Sequence, residues 1–128
     1  MPLLTITTSV EPDVSTKEPF FEELAETYAD IMDSETRFLS IAFHSIDRTD
    51  LWLGRATDPA DDLVILEADV RRGRPVAQRR EFAIAAMERF QEEWNVPRPN
   101  MKVVFTEHDG PQMMGYDRIG GDWEADNE

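Results

Sequence analysis

The chain contains no cysteine, which excludes a disulfide framework, a zinc–thiolate site and a thiol nucleophile. Histidine is nearly as scarce: His44 and His108 are the two, too few for a histidine-rich metal site. Lysine is limited to Lys17 and Lys102, so the positive charge is almost all arginine. No apolar run approaches the roughly 18 residues of a membrane-spanning helix. The opening MPLLTITTSV lacks the basic flank and long apolar stretch of a signal peptide, and a soluble, cytoplasmic protein is expected. With a net charge of −14 the chain also lacks the concentrated basic surface that nucleic acid or an anionic membrane would require, so neither is expected as a partner.

What is present suits one small core. At 128 residues and 41% hydrophobic, the sequence reads as a single domain over 1–128. Its acidic residues are spread along the chain, as on a salt-adapted, halophilic surface where ionic strength screens self-repulsion. An acidic mesophilic protein, or one with a basic partner, fits the same composition.

Strands and helices alternate. Leu3 to Thr8 reads as a strand with Leu4, Ile6 and Thr8 on one face. Phe20 or Phe21, Leu24, Tyr28, Ile31 and Met32 recur at helical spacing, giving a helix from about Lys17 to Met32. Arg37 to Ile46 is a second strand, Leu51 to Gly54 a short extended piece, and Leu63 to Val70 a third main strand whose first half is apolar on both faces. A helix then runs to about Trp94, with Ala83, Met87, Phe90 and Trp94 on one stripe, and Lys102 to Glu107 is the last main strand.

Strand, helix and strand thus occur twice. The pattern predicts two βαβ units side by side, an α+β two-layer sandwich with a four-stranded sheet and both helices on one face. The other face is left bare, and covering it with copies of the same chain calls for oligomerisation. The tail from 110 to 128, with five acidic residues, reads as a subunit-contacting hairpin or a partly disordered end.

Two features point to chemistry. Pro2 follows the initiator methionine at the start of a strand, where proline is tolerated; removal of Met1 leaves a free secondary amine. Burial and nearby positive charge would lower the pKa of that amine and let it accept a proton near neutral pH. Arg71, Arg72 and Arg74 lie just after the third strand, in a stretch of α/β chains that often positions ligands. A guanidinium fork suits a carboxylate, and two such groups near Pro2 would both hold substrate and tune the base. The arginines also suit ordinary pairing with Glu67, Asp69 or Glu81. Tyr28, Phe38 and Tyr116 are aromatic candidates for a pocket wall or for core, as Met113 and Met114 are for a wall or a subunit contact. His108 is a candidate substrate contact or a solvated loop residue, and His44 an outward strand residue.

MetPro before an apolar strand, ArgArgGlyArg after the third strand, and ValPheThrGluHisAspGlyProGlnMetMetGlyTyrAspArg near the end together resemble the tautomerase superfamily. The nearest subgroup is that of cis-3-chloroacrylic acid dehalogenase, with malonate semialdehyde decarboxylase more distant. The resemblance implies a β-α-β-β-α-β protomer, a homotrimer, no cofactor and no metal, and a catalytic amino-terminal proline at Pro2. The subgroup's carboxylate-binding pair matches Arg71 and Arg74; the decarboxylase's pair matches Arg72 and Arg74.

The departures narrow the expectation. The subgroup's first-helix histidine falls on Ala29, its tyrosine of the last main strand on Val104, and its water-activating glutamate on Gly115; the decarboxylase's aspartate falls on Thr36, beside Glu35. The proline and arginines remain without those partners. The expected activity is enol–keto tautomerisation of a small 2-oxo or dienol acid, held by Arg71, Arg72 or Arg74 and served by Pro2. The alternatives are a hydratase, decarboxylase or dehalogenase acting on an unsaturated or β-keto acid, and a catalytically silent oligomeric binding domain.

Overall fold

The computed structural model of the chain describes residues 1–125. Its main elements are β1 (Leu3–Thr8), α1 (Val14–Met32), β2 (Ser40–Ser45), β3 (Val64–Arg71), α2 (Val76–Trp94) and β4 (Met101–His108), followed by the two-residue strands β5 (Met114–Gly115) and β6 (Arg118–Ile119). The sheet order is β2-β1-β3-β4. β1 runs parallel to β2 and β3 parallel to β4, while β1 and β3 meet antiparallel at the centre, Leu3 opposite Asp69 and Thr8 opposite Val64. The expected two-layer α+β sandwich of two strand–helix–strand units is therefore what forms.

Alternation in the strands and a four-residue rhythm in the helices build the core. Leu4 and Ile6 of β1 and Val64, Leu66, Ala68 and Val70 of β3 are buried against Phe20, Leu24, Tyr28 and Met32 of α1 and Phe82, Ala86 and Phe90 of α2. Phe90 stacks on Trp94 with centroids 5.4 Å apart. Both helices end in a left-handed residue, Asp33 (φ 52°) and Asn95 (φ 56°), whose N–H bonds back into the last turn. The opposite face of the sheet carries Leu3, Ile65, Asp69, Val104 and His108, with Leu3 and Val104 exposed.

Several boundaries differ from the sequence reading. α1 begins at Val14, three residues earlier than expected, because its exposed first turn carries no apolar period. Leu51 to Gly54 is not a strand: Arg48 donates to the Leu51 and Asp61 carbonyls, and Ala56 N–H closes a turn on Leu53, so the segment is a pinned loop. On α2 the buried face is Phe82, Ala83, Ala86 and Phe90, with Met87 and Trp94 at its rim.

The two ends of the central strands are closed differently. Where β1 finishes, Thr8 Oγ1 donates to Leu63 O (2.7 Å), Leu63 N–H to Ser9 Oγ (3.1 Å), Ser9 Oγ to Asp62 Oδ1 (2.8 Å) and Asn100 Nδ2 to Asp62 O (3.1 Å). Where β1 begins, the chain folds back from Gly110 to Trp123 over the β3–α2 loop: Trp123 N–H donates to Arg72 O (2.8 Å) and Gly110 N–H to Asp122 Oδ1 (2.8 Å). This part of the expected tail thus lies on its own chain; residues 126–128 of it fall outside the described residues.

Candidate active site

Pro2 is buried, and its carbonyl accepts a hydrogen bond from Ser40 N–H (3.0 Å), which holds it between β2 and β3. Its nitrogen is here the amide of the Met1–Pro2 bond. A cavity of about 200 Å³ opens beside it, bordered by Tyr28, Glu35, Phe38, Arg71, Arg74 and Arg118.

The three arginines arrive from different elements. Arg71 is the last residue of β3, on the open sheet face, and donates from Nη1 to Gly121 O (3.2 Å). Arg74 follows Gly73, whose φ of +128° turns the chain toward the helices. It is 4% exposed, donates from Nε to Met32 O (2.7 Å) and lies 5.4 Å from the Trp123 ring. Arg118 comes from β6 and stacks on Phe38 at 4.1 Å.

Arg72 goes elsewhere. Its side chain forms ion pairs with Asp109 (2.8 Å) and Asp122 (3.1 Å) outside the cavity, which fasten the folded-back tail. Hydrogen bonding to Asp122 raises the Arg72 pKa, and the Gly110 N–H, then Arg72, lower that of Asp122. Adjacent residues at a strand end point to opposite sides, so Arg71 and Arg72 part company.

Two polar atoms at the cavity are buried without a hydrogen-bond partner among the described residues: Arg74 Nη1 and Tyr28 Oη. A native structure seldom leaves such groups orphaned, and a bound ligand is one way to satisfy them. Burial lowers the Arg74 pKa and raises that of Tyr28, with Arg74 and Arg71 opposing the rise. The Met1 amine, at the same cavity, is held below its ordinary value of 8.0 by burial first and then by Arg71, Arg118 and Arg74. The site thus has a cationic wall, a buried phenol and an amine terminus biased toward its neutral form.

Of the other candidates, Phe38 borders the cavity, Tyr28 serves both core and cavity, and Tyr116 is fully exposed. His44 is exposed on β2. Ala29 and Thr36 do not border this cavity, whereas Glu35 does. Gly115, Met113, Met114 and His108 lie around a second hollow that Pro2 also borders. Arg118 was not singled out from the sequence; it stands in the terminal stretch, but its approach depends on the β5–β6 hairpin. A shallow hollow elsewhere, between α1 and β2, is lined by Glu18, Glu22 and Glu26 and offers no cation to a carboxylate. Among the described residues no group of three or more His, Asp or Glu stands close enough to hold a metal ion, and no helix is long and apolar enough to cross a membrane.

Solved structures of low sequence identity share this architecture. A member of the cis-3-chloroacrylic acid dehalogenase family aligns with a TM-score of 0.80 at 19% identity, over 94% of this chain and 84% of its own. Macrophage migration inhibitory factor of Toxoplasma gondii gives 0.77 at 13%, over 91% and 98%. A fused 4-OT described as an asymmetric trimer gives 0.74 at 18%, over 88% and 90%. The fold is that of the tautomerase superfamily. No protein-family model matches the chain, and no curated protein matches it. Likeness at these identities shows the tautomerase fold and leaves the chemistry to be argued from the side chains.

Proposed function

We propose that this chain, once Met1 is removed, is a tautomerase that interconverts enol and keto forms of a small 2-oxo or dienol carboxylate. Pro2 is the acid/base. Arg71 and Arg74 hold the carboxylate, with Arg118 as a third cation beside them, and Arg72 keeps the loop in place. The observation that carries this reading is the convergence of three guanidinium groups on the amine terminus, with Arg74 Nη1 and Tyr28 Oη left without partners.

The chemistry follows from the surroundings. The influences that lower the Met1 amine pKa act on a Pro2 amine one residue further in, favouring a free lone pair that takes a proton from the substrate and returns it. Guanidinium groups in a partly dry cavity stabilise the negative charge that develops on the conjugated oxygen. The scheme uses no metal or organic cofactor. The working unit is a homotrimer in the cytoplasm: the sheet's second face is uncovered, and the 4-OT neighbour of the same fold is a trimer.

Untagged protein, with Met1 loss verified by intact mass, is assayed on a 2-hydroxydienoate, enol-pyruvate and a 3-halo-acrylate. Tautomerisation with little halide release is expected, because Gly115 and Val104 supply no group to activate water. Efficient halide release would favour the dehalogenase alternative, and inactivity on every substrate would favour a silent binding domain.

A further inference from the structure

Tyr28 carries a hydroxyl for which the fold has no use. The residue is 1% exposed on α1, and its ring meets Phe82 edge-on, with centroids 5.0 Å apart, a contact that phenylalanine would make equally well. Its Oη has no hydrogen-bond partner among the described residues. Nor has Arg74 Nη1, and both residues border the arginine cavity; Arg79 and Trp123, which also bury an unpartnered nitrogen, do not. A buried hydroxyl without a partner weakens the folded state, so its presence here is explained by something that enters the cavity.

The two unpartnered atoms belong together. Tyr28 sits on α1, and Arg74 is tied through Nε to Met32 O at the end of the same helix, so both lie on the helix side of the sheet and not on the face that copies of the chain would cover. Both are buried, whereas Arg71 is half-buried and Arg118 exposed. Arg74 Cζ is 6.0 Å from the Tyr28 ring centroid, which sets a guanidinium fork beside a phenol. A carboxylate and an oxygen on the neighbouring carbon lie side by side, and these adjacent donors suit such a pair. Met1 borders the same cavity, so its removal adds room there.

We propose, resting on the reading of Pro2 as the base, that Tyr28 is a catalytic residue whose Oη donates to the oxygen on the carbon next to the substrate carboxylate, and that it selects acids bearing that oxygen over acids without it. Pro2 takes a proton from the carbon beyond the carbonyl, and the C–H pair becomes the new carbon–carbon π bond. The carbonyl π pair moves onto the 2-oxygen, where the Tyr28 hydroxyl and Arg74 stabilise its charge. The prolinium then gives the same proton to that oxygen, which completes the enol; the reverse steps restore the keto form. Tyr28 keeps its own proton throughout. Burial raises its pKa against the pull of Arg74 and Arg71, which keeps it a neutral donor.

The test compares untagged wild type with Tyr28→Phe, by turnover of enol-pyruvate, by Tm, and by calorimetric binding of oxalate, which carries oxygen on both carbons, and of propionate, which lacks the second oxygen. The variant is expected to lose ~10²-fold in kcat with a smaller change in KM. Its Tm should match or exceed that of wild type, because an unpartnered hydroxyl has been removed. Oxalate should bind at least ~10-fold more weakly, and propionate as before. Unchanged kcat and oxalate affinity overturn the assignment, as does a lowered Tm with full activity, which would mean that the hydroxyl serves the fold. Equal weakening of oxalate and propionate, or no binding of oxalate to wild type, overturns the selection of the 2-oxygen. Inactive wild type whose oxalate binding still depends on Tyr28 removes Pro2 as the base and leaves the Tyr28 contact standing.

Discussion

Arg74 donates from Nε to the carbonyl oxygen of Met32 at 2.7 Å, so the loop leaving β3 is tied to the last turn of α1. That carbonyl belongs to a helix end that has no intrahelical donor to offer it. One edge of the guanidinium is thus spent on the fold, and Nη1 remains for a ligand. Arg74→Ala is expected to lose about 1–3 kcal/mol of stability through the unpaired carbonyl and ~10²-fold in tautomerase kcat/KM. Arg71→Ala removes a less buried group with a single bond to Gly121, and should show a comparable kinetic loss with little change in Tm. Thermal unfolding and kinetics on the same two preparations check this; wild-type turnover in Arg74→Ala would remove the clamp from the scheme.

The amine terminus sets a pH dependence. With Met1 present, burial and then Arg71, Arg118 and Arg74 hold the folded amine below its ordinary 8.0. The unfolded chain therefore takes up the proton first as pH falls. The resulting cost is full below the lowered folded value, shrinks as pH rises and is gone above 8.0, so stability increases across that window. For the Pro2 amine in the same surroundings, turnover should rise with pH through an apparent pKa lower than that of the same amine in the unfolded chain. Arg118→Ala should move the limb to higher pH. A limb unaffected by Arg118 would separate this cation from the base.

Gly73 adopts a φ of +128°, and a Cβ there would collide with the carbonyl oxygen of Trp123. Gly73→Ala is expected to cost about 1–3 kcal/mol from backbone strain and to lift the Trp123 segment from the loop. Tryptophan fluorescence and Tm report the two effects. An alanine variant with wild-type emission and Tm would mean that the tail does not lie where Gly73 makes room for it.

The uncovered sheet face carries Leu3, at the start of β1, and Val104, on the edge strand β4, each 39% exposed. If copies of the chain meet there, Val104→Glu places a buried, unpaired charge in each interface and should shift a trimer toward monomer. Light scattering at high salt measures the state. An interface above about 1,000 Å² is expected, and a wild-type monomer at micromolar concentration would contradict it.

The strands and the helix faces were legible because their periods survive in the residues that are buried. Leu4 and Ile6 alternate, and Phe20, Leu24, Tyr28 and Met32 repeat every four. The start of α1 was not, since Val14 is 83% exposed and caps no stripe. Leu51 is buried without belonging to a strand because Arg48 supplies its carbonyl's partner, an arrangement no period encodes. At the site, Arg71 and Arg74 were readable from their place at the end of a buried strand. Arg118 was not: a hairpin far along the chain delivers it, and its seat is the Phe38 ring. The separation of Arg71 from Arg72 is visible only once the strand end is fixed and Asp109 and Asp122 come round to meet Arg72.

The polar lock at Thr8, Ser9, Asp62, Leu63 and Asn100 divides labour along the sheet. At that end the donors Thr8 Oγ1, Ser9 Oγ, Leu63 N–H and Asn100 Nδ2 each meet an acceptor of the same chain. Thr8→Val keeps the shape and strips the Leu63 carbonyl of its hydroxyl, which should weaken folding while leaving turnover per folded molecule untouched. At the end where β1 begins, by contrast, loss of Arg71, whose one side-chain hydrogen bond is an exposed one to Gly121 O, is expected to cost the fold little. Selection for a sturdier molecule can therefore act at the Thr8 end without touching the groups that face a substrate, whereas at the other end Arg74, bonded to Met32 O, ties stability and substrate together.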